Sequence, residues 1–148
     1  MVKIVSAASV APNRRRGGEI RVLLSPRTVA ATSGFMGNLV LEPGEFVTEH
    51  YHPYSEEFLY VTSGRLTMVV DGTPVEVGPD EALMIPTGVR HRAENRGETR
   101  VTAVFHLSPL APRPELGHVD TEPPVNDAAA QPVVGGSVGG GTAGGNGG

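Results

Sequence analysis

Short strand-forming runs, cut apart by turn residues at close intervals, constrain this chain more than any other feature. They occupy residues 19–24, 35–41, 57–62, 66–71, 74–77, 82–85, 90–94 and 100–107. Between them stand Glu42-Pro43-Gly44, Ser63-Gly64, Gly78-Pro79-Asp80, Thr87-Gly88 and Asn95-Arg96-Gly97. Strands this short and this close specify an all-β sandwich or barrel rather than alternating β/α units. Asp71-Gly72 between two such runs is the signal of a tight hairpin. No segment carries the period of a long amphipathic helix. The run 101–107 is apolar on both faces, which predicts an interior on one side and a second layer, a partner subunit, on the other.

The ends differ from the middle. Residues 108–122 are punctuated by Pro109, Pro112 and Pro114 and are expected to run extended over the barrel or a neighbour. From Pro123 the chain turns to Ala, Gly, Pro, Val and Asn, too little apolar surface to offset the entropy of ordering. The expected organisation is one domain over residues 1–122 and a disordered tail over 123–148. The absence of cysteine removes disulfides, thiolate metal sites and a Cys nucleophile. No apolar run approaches the ~20 residues of a membrane span. The first residues make a poor secretory signal, so a cytoplasmic location is expected. A net charge of −4 gives no general affinity for nucleic acid.

Four of the five histidines fall in the strand region. His50 and His52 are two apart, which on a strand puts both imidazoles on one face and Tyr51 on the other. Glu57 follows five residues later, and His91 follows the turn Pro86-Thr87-Gly88. Three imidazoles and a carboxylate converging inside a barrel suit a divalent transition metal: Zn, Fe, Ni, Cu or Mn. Strand parity puts Glu57 and its neighbour Glu56 on opposite faces. Thr102, Val104 and His106 share one face of the last long run. If that face is inward, His106 is a further ligand or a base beside the metal; otherwise it is a hydrogen-bonded core residue. His118, in the proline-rich segment, is expected at the surface or in a dimer contact. Phe35 or Met36, Leu59, Val61, Met68, Met84 and Val104 are the candidate apolar pocket wall.

Read literally, the two stretches are Gly44-x5-His50-x-His52-x4-Glu57-x6-Gly64 and Pro86-x-Gly88-x2-His91-x3-Asn95. This pattern is similar to the two signature motifs of the cupin superfamily, with Asp80 where the second motif usually opens on glycine. The resemblance implies a jelly-roll barrel of two sheets (a double-stranded β-helix) with extended terminal segments. It also implies that His50, His52, Glu57 and His91 line the interior as metal ligands. Three further stretches resemble the single-cupin aromatic-polyketide cyclases of actinomycete pathways, the small cupins that accompany resistomycin-, tetracenomycin- and spore-pigment-type synthases. They are Arg14-Arg15-Arg16-Gly17-Gly18-Glu19, His50-Tyr51-His52-Pro53-Tyr54-Ser55-Glu56-Glu57-Phe58, and Ser108-Pro109-Leu110-Ala111-Pro112-Arg113-Pro114-Glu115-Leu116-Gly117-His118.

That resemblance spans residues 1–122. It implies ring closure of a poly-β-ketone on an acyl carrier protein, zinc as the metal of first choice, and a homodimer. It also makes an all-histidine ligand set plausible, with Glu57 then facing the substrate. His106, and after it Glu57, are the candidate bases. The competing functions are a cupin metal oxygenase acting on a polyphenolic substrate and a non-catalytic module that binds the nascent chain or organises the synthase. The basic run Arg14–Arg16 could steer an acidic carrier protein, but a solvated or dimer-paired charge run is the simpler expectation.

Overall fold

A computed structural model describes residues 2–131 and 134 of the chain. Ten strands follow one another: β1 (Glu19–Leu24), β2 (Phe35–Leu41), β3 (Phe46–Tyr51), β4 (Glu56–Ser63), β5 (Leu66–Val70), β6 (Thr73–Val77), β7 (Ala82–Ile85), β8 (His91–Glu94), β9 (Val101–Ser108) and β10 (Val119–Asp120). They form two antiparallel five-stranded sheets, ordered β1-β2-β9-β4-β7 and β10-β3-β8-β5-β6. The α-helix among the described residues is a single turn, Pro26–Val29, capped by Ser25. The hairpin at Asp71-Gly72 forms as expected: both residues have positive φ, and Val70 pairs directly with Thr73. β3 and β10 were absent from the strand runs read from the sequence.

Alternation sets the two faces of the first sheet. On its inner side Phe35, Leu107, Glu57 and Ile85 stand opposite one another across β2, β9, β4 and β7. Leu39, Ala103 and Val61 make a parallel row. These side chains, with Leu41, Leu66, Met68 and Val101, are almost wholly buried. Each fully buried Leu, Val or Ile contributes about 1.5–3 kcal/mol. On the outer side Met36, His106, Phe58 and Met84 form one row, and Asn38, Val104, Tyr60 and Ala82 the next. Phe58, Tyr60 and Met84 are each more than 40% exposed, so this outer row is an apolar surface. Met84 and Val104, expected in the pocket wall, therefore lie outside it, whereas Phe35, Leu59, Val61 and Met68 face in.

The chain does not leave the fold at Pro123. Residues 126–131 pack against the N-terminal arm, because that arm carries donors for their carbonyls. Arg15 donates to the carbonyls of Asp127 and Ala129, and Asn13 to that of Ala130. Asn126 Nδ2 returns a bond to Arg14 O, and Val134 is buried in the core cluster. The composition argument missed these contacts because they use main-chain atoms. The glycine-rich stretch 135–148, also expected to be disordered, lies outside the described residues. No described helix is long and apolar enough to cross a membrane.

Candidate metal centre

His50 on β3 stands opposite His91 on β8 in the second sheet. Val47 is paired with Ala93 on the same two strands, so three residues of β3 span two of β8. That extra residue is a β-bulge. Without it Val47 and His50 would point to opposite faces; with it both are buried inside. His52, just past the end of β3, is buried on the same side, and Tyr51 between them is not.

The three rings meet at centroid separations of 5.0 Å (His50–His52), 4.5 Å (His50–His91) and 5.2 Å (His52–His91). One ligating atom from each lies within 4.8 Å of the others, so the trio can hold a metal ion. Each imidazole is fixed from behind by a main-chain carbonyl. His50 Nδ1 donates to Thr48 O at 2.8 Å, His52 Nδ1 to Gly117 O at 3.0 Å, and His91 Nδ1 to Val89 O at 3.0 Å. In a neutral ring held this way Nε2 keeps its lone pair, the tautomer a metal requires.

Glu57 enters from the opposite sheet. Its Oε2 is 2.7 Å from His91 Nε2 and 3.7 Å from His52 Nε2. Glu56, its neighbour, points away, as parity requires. His52 Nε2, His91 Nε2 and Glu57 Oε2 are all buried without a well-formed hydrogen bond. Buried polar atoms in that condition are costly unless something else satisfies them. A divalent cation does so, and the donor set of imidazoles and a carboxylate fits one.

In the metal-free cluster the electrostatics divide the three imidazoles. Burial, reinforced by the neighbouring imidazoles, pushes His50 well below the ordinary imidazole value. Burial likewise lowers His52, to about 4, against the opposing pull of Glu57. His91 is also buried, but the Glu57 carboxylate overrides that effect and holds it above the ordinary value. For Glu57, burial opposes ionisation, and His91 outweighs it and keeps the carboxyl below the usual range.

Beside the cluster is a cavity of about 30 Å³, lined by Leu39, Val47, Leu59, Met68 and Phe105 as well as by His50, Glu57 and His91. It has room for about one water molecule.

Three expectations need correction. His106 does not join the cluster. β9 alternates strictly, and the inward positions are Val101, Ala103, Phe105 and Leu107. His106 lies on the outer face, its ring 6.1 Å from that of Phe58. His118 is not at the surface but buried, in contact with Arg16 and 3.9 Å from Asp120. Nor is Arg14–Arg16 a solvated run. Arg16 is 1% exposed and bonded to Asp120, Arg15 is turned onto the C-terminal segment, and Arg14 pairs with Glu19. The carbonyls of Thr48, Val89 and Gly117 were not foreseen, because residue type carries no signal for a main-chain acceptor.

Comparison with known proteins gives the same picture. The Cupin domain model matches residues 37–107. The tetracenomycin polyketide synthase protein TcmJ of Streptomyces glaucescens is 57% identical over 132 residues, covering 89% of each chain. Polyketide synthase CurC of Streptomyces cyaneus is 54% identical over 134 residues, 89% of this chain and 87% of the relative. Protein SchB of Streptomyces halstedii is 57% identical over 120 residues, 81% of this chain and 87% of the relative. Among solved structures, a predicted oxalate decarboxylase from Thermotoga maritima superposes with TM-score 0.64 at 23% identity, over 73% of this chain and all of that one. The oxalate decarboxylase of Lactobacillus farciminis gives 0.66 at 18%, over 77% of this chain and 34% of that one. At those identities the structural likeness speaks for the fold alone. With its two-sheet barrel, its paired motifs and relatives matched over nearly their whole length, the chain belongs to the cupin family, alongside the polyketide synthase proteins TcmJ, CurC and SchB.

Proposed function

We propose that this chain is a metal-dependent cyclase that closes and aromatises rings in a poly-β-ketone held on an acyl carrier protein. The observation that carries the reading is the buried trio His50, His52 and His91, able to hold one ion between them, with the buried Glu57 carboxylate against two of the rings. The relatives' names supply the class of pathway. The three imidazoles would hold the ion, zinc by first choice, with Glu57 as fourth ligand or as a substrate-facing base. When bound, a divalent ion polarises a carbonyl and stabilises the enolate oxygen.

The chain's own groups do the rest. A methylene between two ketones is acidic for a carbon acid, and the Glu57 carboxylate, held ionised by His91, can take its proton. Glu57 succeeds His106 as the candidate base, because His106 is on the far side of the sheet. Leu39, Leu59, Met68 and Phe105 keep bulk water from the reacting carbon. At about 30 Å³ the cavity admits one carbonyl group, whereas a whole ligand of drug size needs about 300–1,000 Å³. The reacting part of the chain therefore has to displace wall side chains to reach Glu57. A second copy of the chain is proposed to cover the outer row of Met36, His106, Phe58 and Met84, giving a homodimer.

The same small cavity favours one other reading, a cupin oxygenase in which dioxygen occupies it. Two measurements decide. Metal content of protein purified without chelator should be near one zinc per chain; a redox metal moves the assignment to oxygen chemistry. A reconstituted synthase should give shunt products when this protein is omitted or carries His52→Ala, and should work without oxygen. An unchanged ring pattern with His52→Ala refutes the cyclase.

A further inference from the structure

Two stretches that hold no metal ligand, Arg14-Arg15-Arg16-Gly17-Gly18-Glu19 and the run from Ser108 to His118, are joined by the fold behind the imidazoles. The joint is Arg16. Its main-chain carbonyl accepts from Thr48 N at 2.9 Å, and Thr48 O is the acceptor for His50 Nδ1. Its Nε donates to Asp120 Oδ1 at 2.8 Å, and Asp120 stands opposite His50 in the β10–β3 pairing. Its Nη2 contacts His118 Nε2 and lies 3.3 Å from Gln131 Oε1. His118 follows Gly117, whose carbonyl is the acceptor for His52 Nδ1. Arg16 thus reaches both segments that orient two of the three imidazoles: its main chain holds Thr48, and its side chain holds His118 beside Gly117 and Asp120 opposite His50.

The loop is shaped for this. Gly17 has φ +104°, and a Cβ there would overlap the Phe46 carbonyl oxygen. Only glycine lets the Arg16 backbone lie this close to β3. A guanidinium that is 1% exposed is also an expensive way to fill space, since an apolar side chain of like volume has no charge to desolvate. What it adds is direction: its bonds fix where Asp120 and His118 sit.

We propose that Arg16, Asp120 and His118 form a clasp that positions His50 and His52 through the carbonyls of Thr48 and Gly117. Arg16 is thereby a positioning residue of the metal centre, an inference that rests on reading the His50, His52, His91 and Glu57 cluster as that centre.

The test is metal binding by the full chain. Zn²⁺ affinity is read by chelator competition, and geometry by the visible spectrum of the Co²⁺ form. Arg16→Met is expected to weaken Zn²⁺ binding about 10–100-fold, the usual effect of losing an outer contact, and to shift the Co²⁺ bands. Arg16→Lys should recover part of the affinity. Val77→Ala, a destabilising change at a buried position on β6 whose strand partner is Leu66, should lower the melting temperature and leave affinity and spectrum unchanged. Wild-type affinity and spectrum in folded Arg16→Met overturn the clasp. If Arg16→Met does not fold, Asp120→Asn takes its place, with at least a fivefold loss expected and wild-type affinity overturning the clasp. A wild-type protein that takes up neither Zn²⁺ nor Co²⁺ overturns the metal-centre reading itself, whereas a binding wild type with unaltered variants overturns only the clasp.

Discussion

Acidifying the metal-free protein should expose how deeply His52 is buried. Its imidazole is lowered by burial from 6.5 to about 4, so the folded state binds this proton much less readily than the unfolded chain does. The stability that follows is fully present above about pH 6.5 and drains away as pH falls towards the folded value. Over the whole window it amounts to about 3 kcal/mol, and by about pH 5 roughly 2 kcal/mol of it is gone. For a domain of this size that is a melting-point loss of roughly 6–10 °C. His50 adds to the loss with the same sign. His91, raised by Glu57, has the opposite sign, stabilising below about pH 6.5 and less as pH rises through its folded value. Both remain in a His52→Gln variant, where His50 only loses the repulsion of one neighbouring imidazole, so the difference between wild type and variant reports chiefly on His52. The assay is thermal unfolding followed by circular dichroism, in chelator, at about pH 7.5 and about pH 5. Wild type should lose roughly 6–10 °C more than His52→Gln between the two. Equal losses would show that His52 is not desolvated as described.

Three further outcomes follow from the geometry. His106→Ala should leave Zn²⁺ affinity within about twofold, since the residue is on the outer face; a tenfold loss in chelator competition would put it at the centre after all. Phe58→Asp, in the middle of the exposed apolar row, should convert a dimer to monomers in sedimentation equilibrium; an unchanged mass would exclude that face as the contact. Gly17→Ala should cost at least about 2 kcal/mol in urea unfolding, from left-handed backbone and overlap with Phe46 O; an unaltered midpoint would refute the close approach.

The barrel was legible because two-residue alternation and turn chemistry are local. Residues 19–24, 35–41 and 82–85 are strands with the expected bounds. Glu57 faces inward and Glu56 does not, for the same local reason. What alternation could not give was which face of β9 is inward. His106 and Phe105 differ by one position, and only the pairing of β9 between β2 and β4 decides between them. β3 was hidden because its bulge breaks the two-residue period just before His50. The contacts of residues 126–131 were missed because their partners, Asn13 and Arg15, stand more than a hundred positions earlier. Composition is blind to such contacts.

The three imidazoles are all braced by peptide oxygens: those of Thr48, Val89 and Gly117. A side-chain brace disappears with one codon change, and these do not. Substitution at any of the three positions leaves the acceptor in place, so the centre is buffered against drift in the very loops that support it. The surrounding sequence is therefore free to diversify, and with it the shape presented to a substrate, while the chemistry at the middle stays constant. Altering that chemistry takes a change in where a loop runs, or in one of the few side chains that hold it there.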